Sequence, residues 1–165
     1  MSDGWRILIV VISGLLGSLG FALIFGVNKK HILFALIPSL LSCLAFELVM
    51  LSGAGLFIAA FIGAALAAAY SDIMAHRIKT PATVMIIISI IPLVPGAKLY
   101  YTMESIVQSN LQNTAKFGGE ALMIAAGIAV GIIAVTAISR PINAKISETL
   151  NKTINIAKTK KNNKH

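Results

Sequence analysis

Between residues 80 and 103 the chain reads TPATVMIIISIIPLVPGAKLYYTM, an apolar run long enough to cross a bilayer and interrupted in its middle by Pro92, Pro95 and Gly96. A helix in hydrocarbon satisfies its own main-chain groups. Freed N–H and C=O groups find no water there, so irregular backbone is tolerated only where protein buries it or a wet cavity receives it. The segment therefore demands a fold in which neighbouring helices enclose it. Interrupted helices near the bilayer midplane are also a recurring way for secondary transporters to build a solute site.

The break falls at the right depth for that role. Thr80 reads as an N-cap with Pro81 at the first helical position. The path from Pro81 to Pro92 is about 16 Å at about 1.5 Å per residue, half of a hydrocarbon core about 30 Å thick. Pro92 cannot donate to the carbonyl of Ile88, nor Pro95 to that of Ile91, which predicts two freed carbonyls at the midplane. Beyond the turn, Gly96-Ala97-Lys98-Leu99 starts a second half-helix whose N-terminus favours an anion, a carboxylate above all. The freed carbonyls would serve a cation instead. The competing reading is a proline kink healed by neighbouring helices.

Composition removes the soluble classes. Of 165 residues 57% are hydrophobic and 12% charged, with a mean hydropathy of +0.86, whereas soluble domains are about one-quarter charged. The net charge of +8 does not indicate nucleic acid, because the cations sit in short connections and the tail, where membrane topology accounts for them. Cys43 is the single cysteine, and His31, His76 and His165 are scattered, so neither a disulfide framework nor a metal site is expected. No cofactor motif is present.

Five stretches have the length and apolarity of a span, at about residues 5–27, 31–51, 55–75, 81–101 and 119–139. The expected fold is an all-α integral membrane bundle of five transmembrane helices with a discontinuous fourth, over residues 1–140. Residues 141–165 form a basic tail, with Ile142, Ile146, Leu150 and Ile154 on one helical face before it turns disordered. Residues 103–118 are read either as a short interfacial helix or as a polar loop. Lys29, Lys30, Arg77, Lys79, Arg140 and the tail lysines fall on one side, against Arg6, Lys98 and Lys116 on the other. This alternation predicts an outside N-terminus and a cytoplasmic C-terminus.

Small residues mark the packing faces: Gly14, Gly17 and Gly20 with Ser13 and Ser18 in the first span, Gly127 and Gly131 in the fifth. The third carries Gly55, Ala59, Gly63, Ala67 and Ser71, flanked by Ala60, Ala64 and Ala68. Close backbone approach holds helices together in lipid, and the third span is expected to be the buried one.

Charge within a span is functional by default. Glu47 either carries a proton or snorkels outward. Lys98 meets a substrate carboxylate, pairs with Glu47 or reaches the headgroups. Asp72 either takes part in proton coupling or makes an interfacial pair with His76 or Arg77. Tyr100 and Tyr101 either anchor the outer interface or offer a hydroxyl to the site. The candidate site is therefore Pro92, Pro95, Gly96, Lys98 and Tyr100, with Glu47 and Asp72 for coupling. No Ser/His, paired-Asp or His-x-x-x-His constellation lies at membrane depth, so an enzyme is not expected.

IPLVPGAKLYYTM, preceded by AYSDIMAHRIKTPATV, resembles the threonine/serine exporter family, specifically its short five-helix component, and Phe21-Ala22-Leu23-Ile24-Phe25 fits the same pattern. The resemblance covers about residues 5–140 and leaves out the tail; Lys98 departs from the small or apolar residue usual at its position. It implies export of threonine and serine, or of succinate in some members, driven by the proton gradient. It also implies a longer membrane subunit as partner, in the plasma membrane of a bacterium. Five spans independently suit a half-transporter, completed by that partner or by a second copy of the chain. The alternative function is a non-transporting accessory or scaffold membrane protein.

Overall fold

The computed structural model describes residues 3–78 and 81–162, with the side chains of residues 3, 6, 76, 78 and 140–162 left out of the description. The described chain is helical throughout: α1 Asp3–Ile24, α2 Ile32–Leu51, α3 Leu56–Ile78, α4 Ala82–Ile90, a 3₁₀ turn Ile91–Leu93, α5 Gly96–Val107 and α6 Leu111–Asn162. Four of these helices are long and apolar enough to cross a membrane, and α4 with α5 makes a fifth if that pair, bent by 56°, is one span.

The connections are short because each helix end is closed locally. Gly26 takes a left-handed conformation (φ 66°), its N–H bonds to the Leu23 carbonyl, and the next N–H, of Val27, reaches back to Ala22. These are the two bonds of a Schellman stop, and Val27 and Ala22 are buried together in one apolar cluster. Ser109 repeats the motif without glycine (φ 56°), with Ser109 N–H on Ile106 O and Asn110 N–H on Ser105 O. Asn110 then caps α6, its Oδ1 accepting the Asn113 N–H at 3.1 Å.

That turn corrects the reading of residues 103–118. They form neither an interfacial helix nor a loop: α5 continues to Val107 and α6 begins at Leu111. The sequence showed only weak periodicity there, whereas the polar run Gln108-Ser109-Asn110 is a stop followed directly by a cap. The start of α4 also differs, since Pro81 itself occupies the N-cap position (φ −55°, ψ 127°) and its carbonyl accepts the Val84 N–H. Thr80 lies outside the described residues. At the far end α6 runs on through Pro141 to Asn162, and the apolar face read for the tail, Ile142 to Ile154, belongs to side chains outside the description.

The third helix is central, as its small-residue stripe implied. Ala59, Ala60, Ala64, Ala67, Ala68 and Ser71 are fully buried. A methyl group on Gly127 would sit 2.5 Å from the Phe57 carbonyl oxygen, and one on Gly131 would sit 2.7 Å from that of Phe61. These are backbone-to-backbone approaches that only glycine on α6 permits. On the opposite side Gly63 leaves room for the Ser42 carbonyl of α2 and the Leu93 side chain. The stripe on α1 has a different partner: Gly14 faces Pro92, Gly17 faces Ile91, and Ser18 is buried. Ser13 and Gly20 lie on its exposed side. With Trp5, Leu8, Ile12, Leu16 and Leu23 exposed, α1 has one face on the broken segment and an opposite apolar face uncovered.

Candidate functional site

The interruption between α4 and α5 is present, and its first half is closed by side chains. The Ile88 carbonyl, deprived of a donor by Pro92, accepts hydroxyls from Ser18 of α1 at 3.0 Å and Ser39 of α2 at 3.1 Å. The Ser42 hydroxyl shares its one proton between the Ser89 carbonyl at 2.8 Å and the Ser39 carbonyl of its own helix at 2.9 Å. Ser89 donates to the Met85 carbonyl at 2.6 Å, and with that single proton committed it accepts from Ser71 of α3 at 2.9 Å. The Ile91 carbonyl is taken by the Val94 N–H at 3.2 Å within the 3₁₀ turn. Both carbonyls expected to face a solute are therefore occupied by protein. This corrects the sequence reading, which weighed the proline effect on α4 without the serines at Ser18, Ser39 and Ser42 on other helices.

Because Ile88 O has two donors, the loss of either alone should be mild and the loss of both should not. A membrane-buried side-chain hydrogen bond is worth about 0.6 kcal/mol, and an orphaned buried carbonyl costs about 1–3 kcal/mol. Ser18→Ala and Ser39→Ala should each lower thermal stability in detergent slightly. The double variant should lower it by more than the sum, and strict additivity would contradict this account of the carbonyl.

The second half brings open main-chain donors. Gly96 N–H turns back on the Val94 carbonyl at 2.7 Å and Leu99 N–H bonds to the Pro95 carbonyl. This leaves the Ala97 and Lys98 N–H groups at the start of α5, where a helix offers no internal acceptor. A cavity of about 360 Å³ opens at this point. Its wall includes Pro92 to Lys98 along the break, Cys43, Phe46 and Glu47 of α2, Val10 of α1 and Ile124 of α6.

The candidate residues separate into two groups. Pro92, Pro95, Gly96, Lys98 and Glu47 all line this cavity. Glu47 is buried, at 9% exposure, and it stands one helical turn from Cys43 on the same face of α2. Tyr100 does not join them: it is exposed and borders a separate shallow recess with Met103 and Glu104. Two residues along a helix is about 200° of rotation, so Lys98 and Tyr100 face opposite ways. Asp72, near the end of α3, does not line the cavity either. The side chain of its expected neighbour His76 lies outside the description. Among the described residues no three His, Cys, Asp or Glu side chains come together in a way that would hold a metal ion.

Lys98 pairs with a residue the sequence reading passed over. Its Nζ contacts Oε2 of Glu120 on α6 and lies 5.6 Å from the centroid of the Phe117 ring. Glu120 sits at position 120 in what reads as an ordinary helix start. Only the α5–α6 hairpin, itself hidden by the misread connection, brings it opposite Lys98.

Discontinuous helices that open on a partly polar cavity recur in secondary transporters, and residues 10–138 match the family described as Threonine/Serine exporter, ThrE. The chain belongs to the threonine/serine exporter family. That match covers the four long helices in part or whole and all of the broken one, and the multi-pass membrane character of the helices agrees with it. No curated protein and no solved structure matches this exporter-family chain.

Proposed function

We propose that this chain is one subunit of a secondary transporter that exports small carboxylates, threonine and serine or a dicarboxylate such as succinate, through the cavity at its fourth crossing. The observation that carries the reading is one cavity that joins the start of α5, the Lys98 ammonium and the buried Glu47 at a helix break. With the Ile88 and Ile91 carbonyls already bonded, the start of α5 brings main-chain donors and the Lys98 ammonium to the cavity. An anion fits donors and a helix N-terminus, and a cation does not.

In this reading α4 and α5 make a single span, the fourth of five, the N-terminus lies outside, and the basic tail faces the cytoplasm of a bacterial cell. A longer membrane subunit of the same family completes the enclosure. An apolar groove of about 670 Å³ beside the break, bordered by Val94, Leu99, Leu122, Ala125 and Ile132, supports such a neighbour over a self-sufficient five-helix carrier. Glu47 carries the coupling proton, and Asp72 has no part at the cavity.

The test is transport by inside-out membrane vesicles containing the full chain and a longer family subunit, with labelled L-threonine, L-serine and succinate as probes. Proton-driven accumulation of at least one probe is expected. Glu47→Gln should keep exchange of labelled for unlabelled solute while losing accumulation against a gradient. Equal loss of exchange and accumulation would remove Glu47 from coupling. Transport by the longer subunit alone, unchanged by this chain's presence or variants, would reduce the chain to a scaffold.

A further inference from the structure

The Lys98 ammonium is placed where helix electrostatics disfavours it. It stands in the first turn of α5, at the positive end of the helix dipole, where cations are destabilising. Its surroundings compensate from another helix: Glu120 supplies the negative charge and Phe117, one turn earlier on α6, supplies a ring face. Lys98 lines the cavity and Glu120 does not. The cation therefore stands at the cavity wall with its counter-ion behind it. The Glu120 Oε2 that meets the ammonium is shut off from solvent.

We propose that Glu120 is a resident counter-ion that competes with the solute for Lys98. In the empty cavity Glu120 holds the ammonium. An arriving carboxylate, drawn to the start of α5, takes the ammonium over, and Glu120 recovers it as the solute leaves. Glu120 would then set affinity and release without touching the solute, a positioning role that acts through Lys98. The inference rests on the proposed transport reading, and it concerns residues that reading does not need: a carrier could use this cavity with Lys98 permanently locked to Glu120.

The two roles for Glu120 predict opposite signs. If it competes, Glu120→Gln frees the ammonium and tightens solute binding. If it only braces α5 against α6, the same change loosens the site. In inside-out vesicles with the longer subunit, we expect Glu120→Gln to lower the half-saturating concentration of the transported probe by about tenfold, the scale of one charge-assisted contact, and to lower the maximal rate. Lys98→Gln should raise the half-saturating concentration by a similar factor, and the Lys98→Gln, Glu120→Gln double variant should match Lys98→Gln alone. Exchanging the charges, Lys98→Glu with Glu120→Lys, keeps an ion pair across α5 and α6. It should restore membrane abundance where a single variant lowers it, without restoring affinity.

An unchanged or raised half-saturating concentration in Glu120→Gln, in vesicles where the natural chain is active, overturns the counter-ion role and leaves the transport reading standing. Recovered affinity in the charge exchange also overturns it, because a brace would then suffice. Natural-sequence vesicles that move none of the three probes overturn the transport reading and the counter-ion role with it.

Discussion

Replacing Pro92, Pro95 and Gly96 together by alanine should reduce export to background while the protein remains in the membrane. Each proline disfavours a helix interior by about 3 kcal/mol and glycine by about 1 kcal/mol relative to alanine, so the variant strongly favours one continuous helix. Two backbone donors return, to the Ile88 and Ile91 carbonyls, and the serine hydroxyls of Ser18 and Ser39 become dispensable. Straightening a segment bent by 56° swings α5 away from α6, opens the Lys98–Glu120 pair and removes the half-helix terminus from the cavity. The check pairs efflux of labelled threonine and succinate with an immunoblot of the membrane fraction. Undiminished efflux at normal abundance would mean that the break is a packing feature only.

The second large effect concerns folding. Gly127→Leu should cut membrane abundance about fivefold or more, since overpacking costs about 1–3 kcal/mol in a core that side chains can adjust and such losses change steady-state levels several-fold. Here the obstacle is backbone: the Phe57 carbonyl oxygen would lie 2.5 Å from the first added carbon. Even Gly127→Ala should be destabilising, against the ordinary gain of about 0.5–1 kcal/mol for alanine in a helix. Gly20→Ala is the internal comparison, because nothing lies within 4 Å of that position, and it should be neutral or stabilising. Equal effects of the two alanine variants in thermal unfolding would contradict the close α3–α6 crossing.

What the sequence disclosed and what it hid follow from the range of the forces involved. Helix existence depends on local hydropathy, so α1, α2 and α3 were legible within a few residues. The break was legible because two prolines in four residues followed by glycine cannot be absorbed locally. Pro38 gives the contrast, a lone proline that α2 accommodates in its interior. Central placement of α3 was legible in its alanines, since small residues with no lipid-facing bulk have one use in a bundle.

The missed features are contacts between segments far apart in sequence. Nothing near Ile88 announces that hydroxyls 70 and 49 residues away will occupy its carbonyl. The available signal was the spacing of Ser39 and Ser42 on an otherwise apolar helix, one turn of polar groups at the depth of the break. Glu120 was missed for a related reason: its partner became visible only once Ser109 was seen to reverse the chain. Tyr100 was grouped with Lys98 by proximity along the chain, where helical phase separates them.

The most direct test of the central claim is solute protection of a thiol placed at the break. Ala97 is exposed and lines the cavity, and Cys43 is the chain's single cysteine, so Ala97→Cys in a Cys43→Ser background gives one reporter. With the longer subunit present, a water-soluble methanethiosulfonate should modify that position, and the exported carboxylate should slow the reaction in proportion to its occupancy. A thiol that water-soluble reagents never reach, or one modified at the same rate with and without every transported solute, would contradict a solute path through the fourth crossing.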